Sequence, residues 1–352
     1  MSERGKNVAL TAATLCLALA ICELGLRVFL DVPLFDFPNF RDRDPQRVKD
    51  TVRYDADLGW TLKENFNRAD LHTLAYGIRR NGPAQSAPRP GHSLAVGASI
   101  TEGFPLGDEG RWPAQLEALT GEPVDNAGVI GYGLDQMVLR AEQLLPVEQP
   151  RLLLLGIGTP NIEWMQSTVV RGASKPFFGV PDGTLALRNV PVPRLDLGPL
   201  EWIKNAFGHS ALVDFVMSRL SPGSWYPPIT RDNKGSADPV DVSCRLLQRL
   251  KGELDARVAR ALVVVEPKWQ EVVPPHAPTR ALDAVEQCAR QAGIGVVDTL
   301  AAMRAEQQAD PFSVVPYWEM RQQRHLSEAG SRRLAELVVA ALATGERQSE
   351  AR

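Results

Sequence analysis

The sequence predicts an α/β fold in which a parallel β-sheet is covered by helices on both faces. Short apolar runs alternate with amphipathic stretches after Leu94, and this alternation resumes after Val240. The run Leu152–Leu155 is apolar at every position, as expected of a strand that is buried on both faces of a parallel sheet. The stretch Leu94–Gly103 passes from an apolar run into a turn with glycine and serine, which is typical of a strand leading into a helix.

Each element is predicted from its local pattern, strands from short apolar runs and helices from apolar residues at helical spacing. The predicted strands are Leu94–Val96, Val124–Asn126, Leu152–Leu155, Ala261–Val265 and Ile294–Val297. The predicted helices are Trp112–Leu119, Leu134–Leu145, Val242–Val258, Thr279–Ala292 and Ser327–Leu342, with one or two more within Trp202–Leu220. Residues Pro311–Arg324 are predicted to form a loop.

Composition places the chain among ordinary globular proteins and argues against several function classes. Of its 352 residues, 44% are hydrophobic and 23% are charged. The net charge of −3 and the lack of a polybasic run argue against a nucleic-acid partner. The four cysteines form no Cys-x-x-Cys pair and the five histidines show no ligand spacing, so neither a metal nor a cofactor is predicted.

The N-terminus has the pattern of a membrane-targeting segment. Arg4 and Lys6 precede an almost wholly apolar run from Val8 to Cys22, and the apolar pattern continues to Leu30 around Glu23 and Arg27. Its full length is adequate for a membrane span if those two charged side chains reach the interface. An uncleaved anchor with its basic end in the cytoplasm is favoured, because the pattern continues past the imperfect cleavage motif at Ala18 and Ala20. The alternatives are a cleaved signal peptide and a buried helix of a soluble domain.

The predicted organisation has four parts. Residues 1–31 are the anchor, 32–91 an extended linker that wraps the domain, 92–345 the α/β domain and 346–352 a tail. Prolines and aromatic residues cluster within 166–240, which predicts an insertion at the face where strands end. Its aromatic side chains either stack on a sugar or pack the insertion's own small core.

Ser99 is the first candidate for chemistry. A serine just past the end of a strand lies at the rim of the sheet, next to backbone N–H groups that can hold an anion. Glycines at 97 and 103 allow a sharp turn and a close approach to a ligand. The alternative is that Ser99 is an ordinary turn residue.

With the later segments included, the chain resembles the SGNH/GDSL hydrolases, a flavodoxin-like α/β family of esterases and lipases, over its whole globular part. The family's Gly-Asp-Ser block reads Gly97-Ala98-Ser99 here, which places Ser99 at the nucleophile position and replaces the usual aspartate by Ala98. The glycine-rich stretch Asn126–Gly133 matches the second block, so Gly131 takes the position whose N–H enters the oxyanion hole. The resemblance implies a three-layer sandwich with the sheet in the middle.

The other two blocks are less regular. The third reads Gly158-Thr-Pro160-Asn161, so proline takes the position of the oxyanion asparagine and Asn161 stands one residue late. The last block places the base at His325, followed by Leu-Ser and a helix. The aspartate that orients the histidine is replaced by Gln322, for which Glu319, Glu163 or Asp310 are alternatives.

The resemblance implies an extracytoplasmic serine esterase that acts on O-acyl esters, such as those of a cell-surface glycan, with Ser99 as nucleophile and His325 as base. Gly131 and Asn161 are the expected oxyanion donors. The alternatives are a non-catalytic protein that binds a glycan or an envelope partner, and an O-acyltransferase. Outside the cytoplasm Cys244 and Cys288 form either a disulfide or a pair of buried free thiols.

Overall fold

The computed structural model describes residues 2–37, 39–40, 51–170, 172–194, 201–225, 230–232, 237–257, 259–320 and 325–350. It divides into two compact units. The N-terminal unit comprises residues 1–50 and 195–229, and the sheet unit comprises residues 51–194 and 230–352.

The strands, in chain order, are β1 (Val52–Asp55), β2 (Gly59–Leu62), β3 (Asn67–Arg68), β4 (Leu71–His72), β5 (Ser93–Val96), β6 (Val124–Asn126), β7 (Leu152–Ile157), β8 (Ser167–Val170), β9 (Ala173–Ser174), β10 (Phe177–Gly179), β11 (Ala186–Arg188), β12 (Thr230–Asp232), β13 (Arg260–Val265), β14 (Gly295–Val297), β15 (Trp318–Glu319) and β16 (His325–Leu326). The helices are α1 (Glu3–Phe29), α2 (Ser99–Glu102), α3 (Trp112–Thr120), α4 (Leu134–Glu148), α5 (Thr159–Glu163), α6 (Glu201–Phe207), α7 (Ala211–Leu220), α8 (Pro222–Trp225), α9 (Pro239–Asp255), α10 (Trp269–Val272), α11 (Arg280–Gln291), α12 (Thr299–Ala309) and α13 (Glu328–Glu350).

A five-stranded parallel sheet forms the centre of the sheet unit. Its strands lie in the order β14-β13-β7-β5-β6 and every pairing is parallel. Numbered along the chain, this is the order 2-1-3-4-5 of flavodoxin-like sheets. Every residue of β7, the middle strand, is buried, as its apolar sequence predicts. The predicted α/β fold class is confirmed.

The segment predicted to be a linker contributes to the core of the sheet unit. From Thr51 it forms two short antiparallel hairpins, β1-β2 and β3-β4. Trp60 is buried, and its Nε1 donates a hydrogen bond to the carbonyl of Ile130 at 3.0 Å. Residues 51–91 therefore supply packing as well as a covering over the sheet.

The predicted insertion over 166–240 is shared between the two units. Strands β8 to β12 belong to the sheet unit, where the buried Lys175 forms an ion pair with Asp135. Helices α6 and α7 belong to the N-terminal unit and correspond to the one or two helices predicted within Trp202–Leu220. The aromatic side chains divide accordingly, since Phe178 is buried and Trp202 is two-thirds exposed.

Three features of the C-terminal third differ from the prediction. Helix α12 was not expected, although Asp298 caps it by accepting a hydrogen bond from the N–H of Ala301 at 2.9 Å. The predicted loop Pro311–Arg324 contains β15, which pairs with β16. The last helix continues to Glu350, so the tail predicted over 346–352 begins inside a helix.

Helix α1 belongs to the N-terminal unit and carries the predicted membrane segment. Among the described residues it is the one helix that is long and apolar enough to cross a membrane, with a mean hydropathy of 2.0 in its most apolar window. A signal peptide has the same properties. Arg27, near the end of α1, is buried against residues of its own unit.

Candidate active site

Ser99 begins a short helix directly after the sheet strand β5. Ala98, which precedes it, has non-helical backbone angles, and the chain enters α2 at Ser99. The backbone N–H groups at the start of a helix have no partner within that helix, so they face outward. The sequence around Ser99 therefore places a hydroxyl and backbone donors together at the carboxyl edge of the sheet.

His325 meets Ser99 at this edge although 226 residues separate them. The Oγ of Ser99 lies 2.9 Å from the Nε2 of His325. His325 belongs to β16, just before the last helix, and the ring of Phe104 packs edge-on against its imidazole with centroids 5.2 Å apart. The distance is that of a direct hydrogen bond between a hydroxyl and an imidazole.

Gly131 lies in the loop after β6. In the sheet, β6 and β7 are the two neighbours of β5, the strand that precedes Ser99. The φ of +83° at Gly131 is in the left-handed region, where glycine is accommodated without strain. The preceding residue, Ile130, is held by helix α2, because Oε2 of Glu102 accepts a hydrogen bond from the N–H of Ile130 at 2.5 Å. The two loops that border the site are thus joined by a buried carboxylate.

Asn161 lies at the same edge of the sheet, although it stands one residue later in the sequence than the asparagine of the family's third block. Its Oδ1 accepts a hydrogen bond from the N–H of Gly158 at 2.7 Å, and its Nδ2 donates one to the carbonyl of Tyr132 at 2.9 Å. Pro160 occupies the first turn of α5, where its missing N–H costs no helical hydrogen bond. The amide nitrogen carries a second hydrogen, so the side chain is held by two contacts and retains a donor.

These residues border one cavity of about 150 Å³. The residues that line it are Ala98, Ser99, Ile100, Ile130, Gly131, Gly158, Pro160, Asn161, Trp164, Glu266, Lys268 and His325. All of them except His325, which lies on β16, are in segments that follow the carboxyl ends of β5, β6, β7 and β13. In sheets of this strand order, ligands bind in the crevice outside these ends, where the order of the strands reverses.

Glu266 is a buried acid of the cavity that sequence reasoning missed. Its Oε1 accepts hydrogen bonds from the Oγ1 of Thr101 at 2.5 Å and from the Nε1 of Trp112 at 3.0 Å. Burial raises the pKa of this carboxyl to about 7. The available signal was its position, because Glu266 is the first residue after the apolar strand predicted at Ala261–Val265.

A buried network of charged side chains supports the loop that follows helix α2. Arg79 lies 3.5 Å from Glu102, and Arg111 forms an ion pair with Asp108 at 2.6 Å. Burial opposes ionisation of Asp108, but Arg111 and the other neighbouring cations outweigh it and lower its pKa. Burial also lowers the pKa of the Arg111 guanidinium well below its usual range. No sequence motif indicates this network.

The candidates for the residue that orients His325 have different positions. Glu319 is the direct antiparallel partner of His325 between β15 and β16. Gln322 lies outside the described residues. Glu163 is the last residue of α5, and Asp310 accepts a hydrogen bond from the N–H of Phe312 at 3.0 Å. Glu319 is therefore the candidate that the strand pairing places directly opposite His325.

Comparisons with known proteins find similarity in solved structures. No protein-family model matches the sequence, and no curated protein is similar enough to count as a match. A lipolytic protein of the G-D-S-L family from Veillonella parvula is 13% identical with a TM-score of 0.40, over 71% of this chain and 96% of that one. The acetyl xylan esterase AlAXEase is 13% identical with a TM-score of 0.43, over 71% of this chain and 98% of that one.

A variant of the acetyl xylan esterase from Geobacillus stearothermophilus is 17% identical with a TM-score of 0.40, over 72% of this chain and 95% of that one. At these values the similarity bears on architecture and not on activity. The fold follows from the strand order of the chain itself, which is that of a flavodoxin-like α/β protein with a central parallel sheet.

Proposed function

We propose that this protein is a serine ester hydrolase that forms an acyl-enzyme on Ser99. The observation that carries the proposal is the 2.9 Å contact between the hydroxyl of Ser99 and the Nε2 of His325, at the edge of a cavity bordered by Gly131 and Asn161. A nucleophile, a base and oxyanion donors are the three parts that acyl transfer requires.

In the first half of the reaction, Nε2 of His325 accepts the proton of Ser99 while Oγ attacks the ester carbonyl. The carbonyl oxygen becomes an oxyanion, for which the backbone N–H groups of Ser99 and Gly131 and the remaining Nδ2–H of Asn161 are the donors. His325 then returns the proton to the departing alcohol, and the acyl group remains on Oγ.

In the second half, a water molecule takes the place of the alcohol. His325 removes a proton from the water as it attacks the acyl-enzyme, then returns a proton to Ser99 as the carboxylic acid leaves. If a sugar hydroxyl replaces the water, the same steps transfer the acyl group instead.

The size of the cavity supports a short acyl group. A cavity of about 150 Å³ is comparable in size with one that holds a single benzene ring. Trp164 on its border offers an apolar ring face, which is suited to stacking on a sugar. The proposed substrate is therefore a short O-acyl ester on a glycan of the cell envelope.

The proposed location is the cytoplasmic membrane, with α1 as a retained single span and the sheet unit outside the cytoplasm. The basic residues Arg4 and Lys6 before the span favour a cytoplasmic N-terminus. The disulfide between Cys244 and Cys288 supports an oxidising compartment for the sheet unit.

The test is the hydrolysis of p-nitrophenyl acetate by the purified full-length protein in detergent. Replacing Ser99→Ala is expected to lower kcat by about 10³-fold or more, because the nucleophile is lost. Ser224→Ala, at an exposed serine of the N-terminal unit, is the matched control and is expected to retain the full rate. Equal rates for the Ser99→Ala variant and the unmodified protein would exclude the proposed mechanism.

A further inference from the structure

Glu23 and Arg27, the charged residues near the C-terminal end of α1, form a polar cluster in the N-terminal unit. Arg27 forms an ion pair with Glu23 at 2.7 Å and is only 1% exposed. The guanidinium of Arg27 also donates hydrogen bonds to the backbone carbonyls of Pro33, Asp36 and His209. We call this ion pair and its hydrogen bonds the Glu23–Arg27 clasp.

The carboxylate of Glu23 holds the start of helix α7. It accepts hydrogen bonds from the N–H groups of Ala211 at 2.9 Å and Leu212 at 2.8 Å, and from the hydroxyl of Ser210 at 2.8 Å. The first N–H groups of a helix lack partners within the helix, and a negative charge near them is favourable. Glu23 therefore acts as a cap for a helix that lies far away in the sequence.

The clasp sets the depth at which α7 begins. From Val8 to Cys22 the apolar run rises about 22 Å at 1.5 Å per residue, which is less than the ~30 Å thickness of the hydrocarbon core. If α1 spans the membrane, Glu23 and Arg27 lie near the boundary of that core, where charged groups require partners. The partners of Glu23 at residues 210–212 must lie at the same depth, because they are in direct contact with it.

The elements around the clasp expose large apolar side chains. Phe35 is 92% exposed and Leu220 is 76% exposed, and the aromatic rings of Trp202 and Phe207 are at least half exposed. Val216 and Leu220 lie one helical turn apart and share a face of α7. Exposed aromatic and aliphatic residues beside the end of a span are typical of helices that lie in the membrane interface.

We propose that helices α6 and α7 are an interfacial membrane-docking element, held by the Glu23–Arg27 clasp against the outer leaflet of the bilayer that α1 spans. The proposal rests on the membrane anchoring proposed above. The occupant of the exposed apolar side chains is the lipid interface itself, since α7 begins in direct contact with Glu23 at the end of the apolar run of α1.

The experiment places single spin labels on the full-length protein in vesicles of phosphatidylcholine and phosphatidylglycerol. In a background of Cys16→Ser and Cys22→Ser, labels are attached at Phe207→Cys, Leu220→Cys, Leu15→Cys in the span, and Gln248→Cys on the exposed face of α9. Accessibility to oxygen, which enters lipid, is compared with accessibility to a water-soluble nickel chelate. The labels at 207 and 220 are expected to have a ratio of oxygen to nickel accessibility several-fold higher than the label at 248.

The outcomes separate the docking element from the anchor. If the labels at 207 and 220 match the label at 248 while the label at 15 remains in lipid, the docking proposal is overturned and the anchor stands. If the label at 15 is also open to the nickel chelate, the anchor fails, and the docking proposal fails with it.

The role of the clasp has its own test in the variant labelled at residue 220. Glu23→Leu removes the acceptor for the first N–H groups of α7 while making α1 more apolar. The label at 220 is then expected to become several-fold more accessible to nickel, with the label at 15 unchanged. Unchanged accessibility at 220 in the Glu23→Leu variant would show that the clasp does not hold the helix.

Discussion

Glu319 lies directly opposite His325 in the antiparallel pair β15-β16. Side chains of directly opposed residues project to the same side of the strand pair, with Cβ atoms about 4.5–5.5 Å apart. At this separation the carboxylate of Glu319 can reach the imidazole of His325. We therefore expect Glu319 to orient the imidazole and to stabilise its positive charge during the reaction. Replacing Glu319→Gln keeps the size but removes the charge, and is expected to lower kcat for p-nitrophenyl acetate by one to four orders of magnitude, with KM little changed.

Glu328→Gln is the matched control for this prediction. Glu328 is an exposed acid only three residues after His325, and its replacement removes the same charge near the site. A similar loss of kcat in both variants would indicate a general electrostatic effect and not an orienting role for Glu319.

Asn161 is expected to donate to the oxyanion with the hydrogen of Nδ2 that does not bind Tyr132. Asn161→Asp keeps Oδ1 as the acceptor for the N–H of Gly158 but removes both amide hydrogens and places a negative charge beside the developing oxyanion. The expected loss is about 10²–10³-fold in kcat or more, as for the removal of one oxyanion donor. Steady-state kinetics measure it, and a thermal melt shows whether the fold is retained.

The outcome that contradicts this role is a kcat within a factor of a few of the unmodified protein while the variant remains folded. Loss of folding would instead be explained by the missing hydrogen bond to Tyr132. The variant Asn161→Gln, which restores an amide one carbon farther out, then separates the loss of this hydrogen bond from the loss of the oxyanion donor. An oxyanion role predicts low activity for the glutamine variant in a folded protein.

Ser99 and His325 could be found from the sequence because each lies at the boundary of a regular element. Ser99 follows an apolar strand and His325 precedes an amphipathic helix, so the fold alone brings them to one edge of the sheet. Asn161 was ambiguous because its role depends on side-chain direction within the short helix α5, which a count of residues after Gly158 does not give. Glu266 was missed because a single acid after a strand has no local pattern.

The strands within residues 51–91 could not be predicted from hydrophobic periodicity. These strands are two to four residues long, too short for an alternating pattern to stand out from the turns between them. The buried indole of Trp60 donates its hydrogen bond to Ile130, seventy residues later, a partner that local periodicity does not reveal. Helix α12, by contrast, carried a readable signal in Asp298, a preferred capping residue, followed by Leu300 and Met303 at helical spacing.

Glu266 predicts a pH dependence of stability. Burial raises its pKa from 4.5 to about 7, so the folded state favours the protonated carboxyl. Ionising Glu266 in the folded state therefore lowers the free energy of unfolding. This loss is absent below pH 4.5, grows as the pH rises towards 7 and is complete above pH 7, where it amounts to about 3 kcal/mol. Glu266→Gln keeps a neutral acceptor for Thr101 and Trp112. Its free energy of unfolding is expected to equal that of the unmodified protein at pH 4 and to exceed it at pH 8.

Urea unfolding at the two pH values, followed by tryptophan fluorescence, measures this difference. Exposed Glu328→Gln is again the control and is expected to show no such trend. A glutamine variant at 266 that is less stable than the unmodified protein at pH 8 would mean that the carboxylate is ionised and stabilising in the folded state.

The disulfide joins helices α9 and α11 through Cys244 and Cys288, which are 44 residues apart in the sequence. Closing a loop of this length restricts the unfolded chain and is expected to stabilise the sheet unit by about 4 kcal/mol. The double replacement Cys244→Ser and Cys288→Ser should therefore lower the urea midpoint, and a reductant should lower that of the unmodified protein to a similar value. Cys16→Ser with Cys22→Ser, both in α1, is the control and should leave the midpoint unchanged. A double variant at 244 and 288 with an unaltered midpoint under oxidising conditions would show that the bridge does not contribute to stability.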